Sequence, residues 1–170
     1  PVKSRLVNSP AQPFEVILPK GKPIPVMISS PHSGLEFPPG TEVGLDPKII
    51  AHPEDTDWFV DRLYGFAPAL GITLIRARNS RYVIDLNRDP KDSALYTDGR
   101  SETRLVPVTT FAGRKIYRGL EPTKAEIDTR LQQYYWPYYN EIEILLADLL
   151  TQHRQVLFYD AHSIRHFVPA

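Results

Sequence analysis

The sequence predicts an α/β protein, a sheet covered by helices. Two short apolar runs, Ile24-Pro25-Val26-Met27-Ile28-Ser29 and Ile72-Thr73-Leu74-Ile75, are bounded by turn residues and read as buried strands. Between them Trp58, Val60, Leu63, Tyr64 and Ala67 recur at helical spacing behind Glu54, Asp55 and Asp57, and acids before an apolar stripe mark a helix start. Strand, helix, strand is a βαβ-like unit, whose natural architecture is a sheet with helices packed on it.

The remaining elements follow in order. Residues 1–12 are polar and proline-bearing and read as an arm. Phe14-Glu15-Val16-Ile17-Leu18 is rich in strand formers, and Pro19-Lys20-Gly21-Lys22-Pro23 reads as a turn. A segment punctuated by proline and glycine runs from Phe37 to Pro53. Gly71 stops the first helix. Residues 89–121 are irregular, and a loop of that length inside a compact domain points to function or mobility. Thr123-Lys124-Ala125-Glu126 is a capping box, opening a helix with apolar positions from Ile127 to Leu149 that Pro137 should kink or split. Its tyrosines read as core. Val156-Leu157-Phe158-Tyr159 is a further buried strand, running into Asp160-Ala161-His162-Ser163. No internal repeat or domain boundary appears, and 170 residues most simply make one domain.

Composition narrows the chemistry. Lys+Arg and Asp+Glu are both 20, so no overall charge draws the chain to nucleic acid or an anionic membrane. With no cysteine, disulfides, Cys-ligated zinc and thiol nucleophiles are excluded, and any metal must be held by His, Asp and Glu. No apolar run approaches the about twenty residues of a membrane span. The expectation is a soluble, cytoplasmic protein with a small-molecule partner.

His32 and His162 each follow immediately on a strand, and in open α/β sheets ligands gather at the carboxyl ends of strands. Two histidines and a carboxylate would leave zinc an open position for water. The acids near a helix start also have a plain reading as capping residues. Asp160, two residues before His162, shares its face if the strand persists and could orient it or a bound water. His52, His153 and His166 read as non-ligands. Ser80 to Pro90 sets Arg81, Asn87 and Arg88 among apolar residues. This stretch is either a solvated turn or an anion clamp, since guanidinium groups form paired bonds to carboxylates. A metal-bound water beside such a clamp is the division of labour for hydrolysing an N-acylated amino acid or a peptide end.

Five pieces, in this order, resemble the N-formylglutamate amidohydrolases, which hydrolyse N-formyl-L-glutamate to formate and glutamate. They are Ser30-Pro31-His32-Ser33-Gly34, Asp55-Thr56-Asp57, Ser80 to Arg88, Thr109-Thr110-Phe111 and Asp160-Ala161-His162-Ser163-Ile164-Arg165. The resemblance implies a three-layer α/β/α fold with a mixed sheet, of the zinc-dependent exopeptidase (phosphorylase/hydrolase-like) kind shared with metallocarboxypeptidases and aspartoacylase. It implies a metal, Zn2+ or another divalent ion, on His32, Asp57 and His162, with Asp55 the alternative to Asp57. It further implies Arg81, Asn87 and Arg88 on the substrate carboxylate, with Asp160, Ser33 and Arg165 around the ligands. Two departures, Thr97-Asp98-Gly99 and Ala112, both lie in the long loop.

Family members continue well beyond the equivalent of Ala170, and their catalytic glutamate lies there. The resemblance therefore implies an N-terminal portion of the domain over 1–170, and no residue here is assigned as general base. The expected activity is deformylation of N-formylglutamate, as in histidine degradation. The alternatives are another N-acyl amino acid deacylase or carboxypeptidase-like hydrolase, or a non-catalytic metal- or ligand-binding fragment.

Overall fold

A computed structural model describes residues 9, 12–91 and 103–164. Most of the N-terminal arm, Thr97-Asp98-Gly99, Arg165 and His166 fall outside the described residues.

Four strands, β1 (Phe14–Ile17), β2 (Val26–Ser30), β3 (Thr73–Ala77) and β4 (Leu157–Asp160), form one mixed sheet in the order β1-β3-β2-β4. β1 runs antiparallel to β3, while β3, β2 and β4 are mutually parallel. Successive side chains alternate between the faces. Met27, Ile75 and Ala77 join Tyr135, Tyr138, Ile142 and Leu149 on one face, and Ile28 and Leu74 join Val60, Ala67 and Ile72 on the other. A third cluster, with Leu45, Ile49, Tyr82, Ile116 and Tyr117, consolidates the loops. Within the segment punctuated by proline and glycine, a short helix α1 (Pro47–Ala51) is capped by the Asp46 side chain, with Pro47 in its first turn.

Two expectations are corrected. The helix expected behind Asp57 is only α2 (Val60–Leu63), followed by a 3-10 turn at Ala67–Leu70. The chain enters α2 through Phe59 at φ 65°, a left-handed conformation with no side-chain cap, so neither Asp55 nor Asp57 caps the helix. Gly71, at φ 85°, does end the turn, and a Cβ there would lie 2.6 Å from the Lys22 carbonyl oxygen. The second correction concerns β4, expected to be buried. All four of its residues are exposed, with Leu157 at 60%, because β4 is an edge of the sheet whose outer side pairs with none of the described residues.

The long helical stretch divides as Pro137 requires. α3 (Lys124–Arg130) opens with both bonds of the Thr123–Glu126 capping box. Residues Leu131–Tyr135 form a π-helical turn in which the Trp136 N–H reaches the Leu131 carbonyl, and α4 (Trp136–Leu150) continues from there. Pro137 has no N–H to donate and its ring crowds the carbonyl four residues back, and the wider turn accommodates both. Tyr135 and Tyr138 are buried as expected, but their hydroxyls and that of Tyr139 reach polar partners beyond the helix.

Candidate metal and substrate site

The carboxyl ends of the parallel strands β2, β3 and β4 lead into the His32 loop, the Arg81–Arg88 stretch and His162 respectively. The His32 loop lies directly against the end of β3: the Glu36 N–H bonds Arg78 O and the Ser80 N–H bonds Glu36 O. Gly34 permits that approach, since a Cβ there would meet the Asn79 oxygen at 2.3 Å. The Asp57 N–H bonds the His32 carbonyl at 3.0 Å, which fixes the acidic turn beside the histidine.

His32, Asp57 and His162 come together, each offering a ligand atom within 4.8 Å of the others. Asp57 Oδ2 is 3.2 Å from His162 Nδ1 and 3.6 Å from His32 Nδ1. The opposite ring nitrogens are committed. His32 Nε2 lies 2.7 Å from Asp85 Oδ1, and His162 Nε2 lies 2.9 Å from Asp160 Oδ2. In each ring Nε2 is nearer its carboxylate than Nδ1 is to Asp57, so a neutral ring keeps its proton on Nε2 and turns its Nδ1 lone pair to Asp57. Two lone pairs converging on a carboxylate call for a cation. The trio could therefore hold a metal ion, with each histidine oriented by a carboxylate behind it.

Protons meet part of that demand when no metal is bound. Hydrogen bonds to Asp160 and then Asp57, against the effect of burial, raise His162 to about 9. For Asp57, burial alone would push the pKa up, but bonds from His162, His32 and Ser163 outweigh it and hold the carboxyl well below its ordinary range. Ser163 Oγ donates to Asp57 Oδ1 at 2.7 Å, leaving Oδ2 toward the rings.

Asp55, the alternative ligand, turns away: its Oδ2 accepts the Phe111 N–H at 2.9 Å, and its own N–H bonds the Tyr82 hydroxyl. The Thr109-Thr110-Phe111 segment thereby joins the site, with the Phe111 ring 4.7 Å from the Arg81 guanidinium carbon. Arg81 is buried; it donates to Asp85 Oδ2 and to the Asp55 carbonyl, and its Nε has no partner among the described residues. Arg88 is bound through Nε and Nη2 to the Thr103 hydroxyl, a neutral acceptor, with Asp85 Oδ2 4.0 Å from its Nε. Asn87 is exposed, and its backbone N–H bonds Asp85 Oδ1. Ser33 pairs with the Ser30 hydroxyl. His52 stacks on Trp58 and is not one of the trio.

Asp85 is the residue the sequence reading passed over. It is fully buried and joins His32, Arg81 and the Asn87 N–H. Burial would raise its pKa, but the His32 bond and the Arg81 charge prevail and lower it. The clue was an acid between Ile84 and Leu86 in a run otherwise suited to burial, where a carboxylate needs partners.

Residues 24–170 match the family model for N-formylglutamate amidohydrolase. The chain belongs to that family. It is 41% identical over 156 residues to the N-formylglutamate deformylase of Pseudomonas aeruginosa, and 39% identical over 147 residues to that of Pseudomonas putida. These alignments cover 91% and 86% of this chain but 58% and 54% of the relatives, so the chain spans little more than half their length. The crystal structure of N-formylglutamate amidohydrolase from Ralstonia eutropha JMP134 superposes with TM-score 0.72 at 28% identity, covering 89% of this chain and 58% of that one. A gene product of Agrobacterium tumefaciens shares the fold at TM-score 0.69 and 22% identity, over 90% and 57% of the two chains. No helix among the described residues is long and apolar enough to cross a membrane.

Proposed function

We propose that this chain carries the metal- and substrate-binding part of a zinc-dependent hydrolase that cleaves the amide of N-formyl-L-glutamate to formate and L-glutamate. The observation that supports it most is the convergence of His32 Nδ1, His162 Nδ1 and Asp57 Oδ2, with both Nε2 atoms donated to carboxylates. In this reading His32, Asp57 and His162 hold the ion. When bound, zinc polarises the formyl carbonyl and lowers the pKa of its water. Arg88 and Asn87 bind the substrate carboxylate from the partly open side of the stretch. Arg81 supports them through Asp85, and its Nε has no partner among the described residues. The zinc-exopeptidase class, a single domain over 1–170, a cytoplasmic setting and a place in histidine degradation belong to the same reading.

The general base is not assigned within the chain. Asp57, Asp85 and Asp160, the carboxylates in contact with the two histidines, are each already engaged. We place the base in the part of the relatives that this chain does not match. Elemental analysis after zinc loading tests the metal: a ratio near one ion per chain is expected, and background levels would refute it. A substrate panel of N-formyl-, N-acetyl- and peptidyl-glutamate tests the reaction. Zinc binding without turnover on any of them selects the second reading, a binding fragment, which the limited coverage of the relatives favours. Turnover led by an N-acetyl or peptidyl substrate selects a different deacylase or a carboxypeptidase-like hydrolase.

A further inference from the structure

α4 places Tyr138 against the sheet, almost wholly buried, with its ring edge-on to Phe14 at 6.0 Å. Its hydroxyl is 2.9 Å from Ser29 Oγ, and Ser29 Oγ is 2.6 Å from Asp160 Oδ1. Ser29 and Asp160 are register partners on the parallel strands β2 and β4, so both belong to the sheet itself. The other Asp160 oxygen receives His162 Nε2 at 2.9 Å. The direction of the chain of bonds follows from the chemistry of its ends. A carboxylate accepts only, so Ser29 gives its single proton to Asp160, and Tyr138 must donate to Ser29.

A phenylalanine would fill the place of Tyr138 without burying a hydroxyl, and a buried hydroxyl is costly unless bonded. The hydroxyl sits in a cluster otherwise built from Phe14, Met27, Ile75, Ile142 and other apolar residues. Burial pushes the Tyr138 pKa far up, so it remains a donor throughout the working pH range. Asp160 ends the exposed edge strand and His162 lies two residues past it, with 36% and 29% of their side chains open to solvent. A carboxylate in that setting needs a fixed donor behind it if it is to hold a ring at one angle.

We propose that Tyr138 and Ser29 are positioning residues for His162, a buried two-hydroxyl relay that fixes Asp160 and, through it, the ring nitrogen offered to the metal. The inference rests on the metal-site reading above. The chain as it stands is used for the test, with Zn2+ affinity measured by competition with a chromophoric chelator and the Co2+ absorption spectrum as a probe of ligand geometry. Orienting partners of a metal-bound histidine are worth about 10- to 100-fold in affinity. Tyr138→Phe and Ser29→Ala are therefore expected to weaken Zn2+ about tenfold and to alter the Co2+ spectrum. Ser29→Thr, which keeps the hydroxyl, should restore both, and Tyr64→Phe, which removes an exposed hydroxyl bonded to Tyr159, should change neither.

A readout without metal separates the relay from the reading beneath it. In 1H–15N spectra of the metal-free chain the His162 Nε2 proton should be protected in the wild type and exchange faster in Tyr138→Phe and Ser29→Ala. Unchanged affinity, spectrum and proton exchange in both variants would overturn the relay. Loss of thermal stability without change in those three readouts would reduce the two hydroxyls to packing, and overturn it equally. If the wild type takes up no Zn2+, the metal reading fails, and the proton-exchange arm still decides the relay.

Discussion

His32 and His162 each turn Nδ1 toward Asp57 and hold Nε2 against a second carboxylate, yet the two halves are anchored at different depths. Asp85, behind His32, is fully buried and fixed by Arg81 and a backbone N–H. Asp160, behind His162, lies on an exposed edge strand and is held by a serine hydroxyl. The first carboxylate is compensated by a neighbouring full charge, as deep burial demands. The second is partly solvated and needs only a neutral donor. One geometric device thus has two different costs, and the difference predicts which substitutions damage the fold and which damage only the site.

The largest expected effect follows from breaking the deep half. Asp85→Asn leaves Arg81 buried without its counter-charge, and losing one partner of a buried pair costs about 3–5 kcal/mol. Asp160→Asn, at the solvated edge, should cost no more than about 1 kcal/mol. Both should weaken Zn2+ binding. Urea denaturation read beside chelator competition checks the contrast, and equal stability losses in the two variants would erase it. A middle-sized effect is expected from Gly34→Ala, which touches only the His32 side. The added Cβ would meet the backbone of residues 78 and 79 at 2.3–2.5 Å, and such crowding costs about 1–3 kcal/mol. Gly21→Ala, where a Cβ meets nothing within 4 Å, is the matched control.

The same asymmetry governs what could be read from the sequence. Strand positions were legible because their apolar runs end in turn residues, and β1 to β4 lie within two residues of the predicted runs. The meeting of His32 and His162 was legible in outline, because residues after parallel strands share one end of a sheet, whereas Asp57 entered only through the family resemblance. Asp85 was not, since its role depends on a contact 53 residues away in sequence that no local pattern encodes. Nor was the exposure of β4, because Leu157-Phe158-Tyr159 reads as core and only the sheet order reveals an edge. The short α2 escaped for a local reason. Apolar spacing predicts a helix, but Phe59 adopts a left-handed conformation where β-region entry is the norm.

The smallest expected effect, and the most selective, is the response of the metal-free chain to pH. His162 is raised from 6.5 to about 9 by its bonds to Asp160 and Asp57. A raised pKa means that the folded state binds the proton more tightly than the unfolded chain does. The resulting stability is fully present below about pH 6.5 and disappears as pH rises through about 9. Asp85 is lowered from 3.8, so its contribution is present above that value and is lost only in acid. The alkaline limb therefore belongs to the edge half of the site and the acid limb to the deep half, with Asp57 shared between them. Urea midpoints of the metal-free chain should fall between pH 7 and 9.5 in the wild type, and that fall should be largely absent in His162→Gln. A fall of the same size in both would assign the alkaline limb elsewhere and leave the two halves indistinguishable by pH.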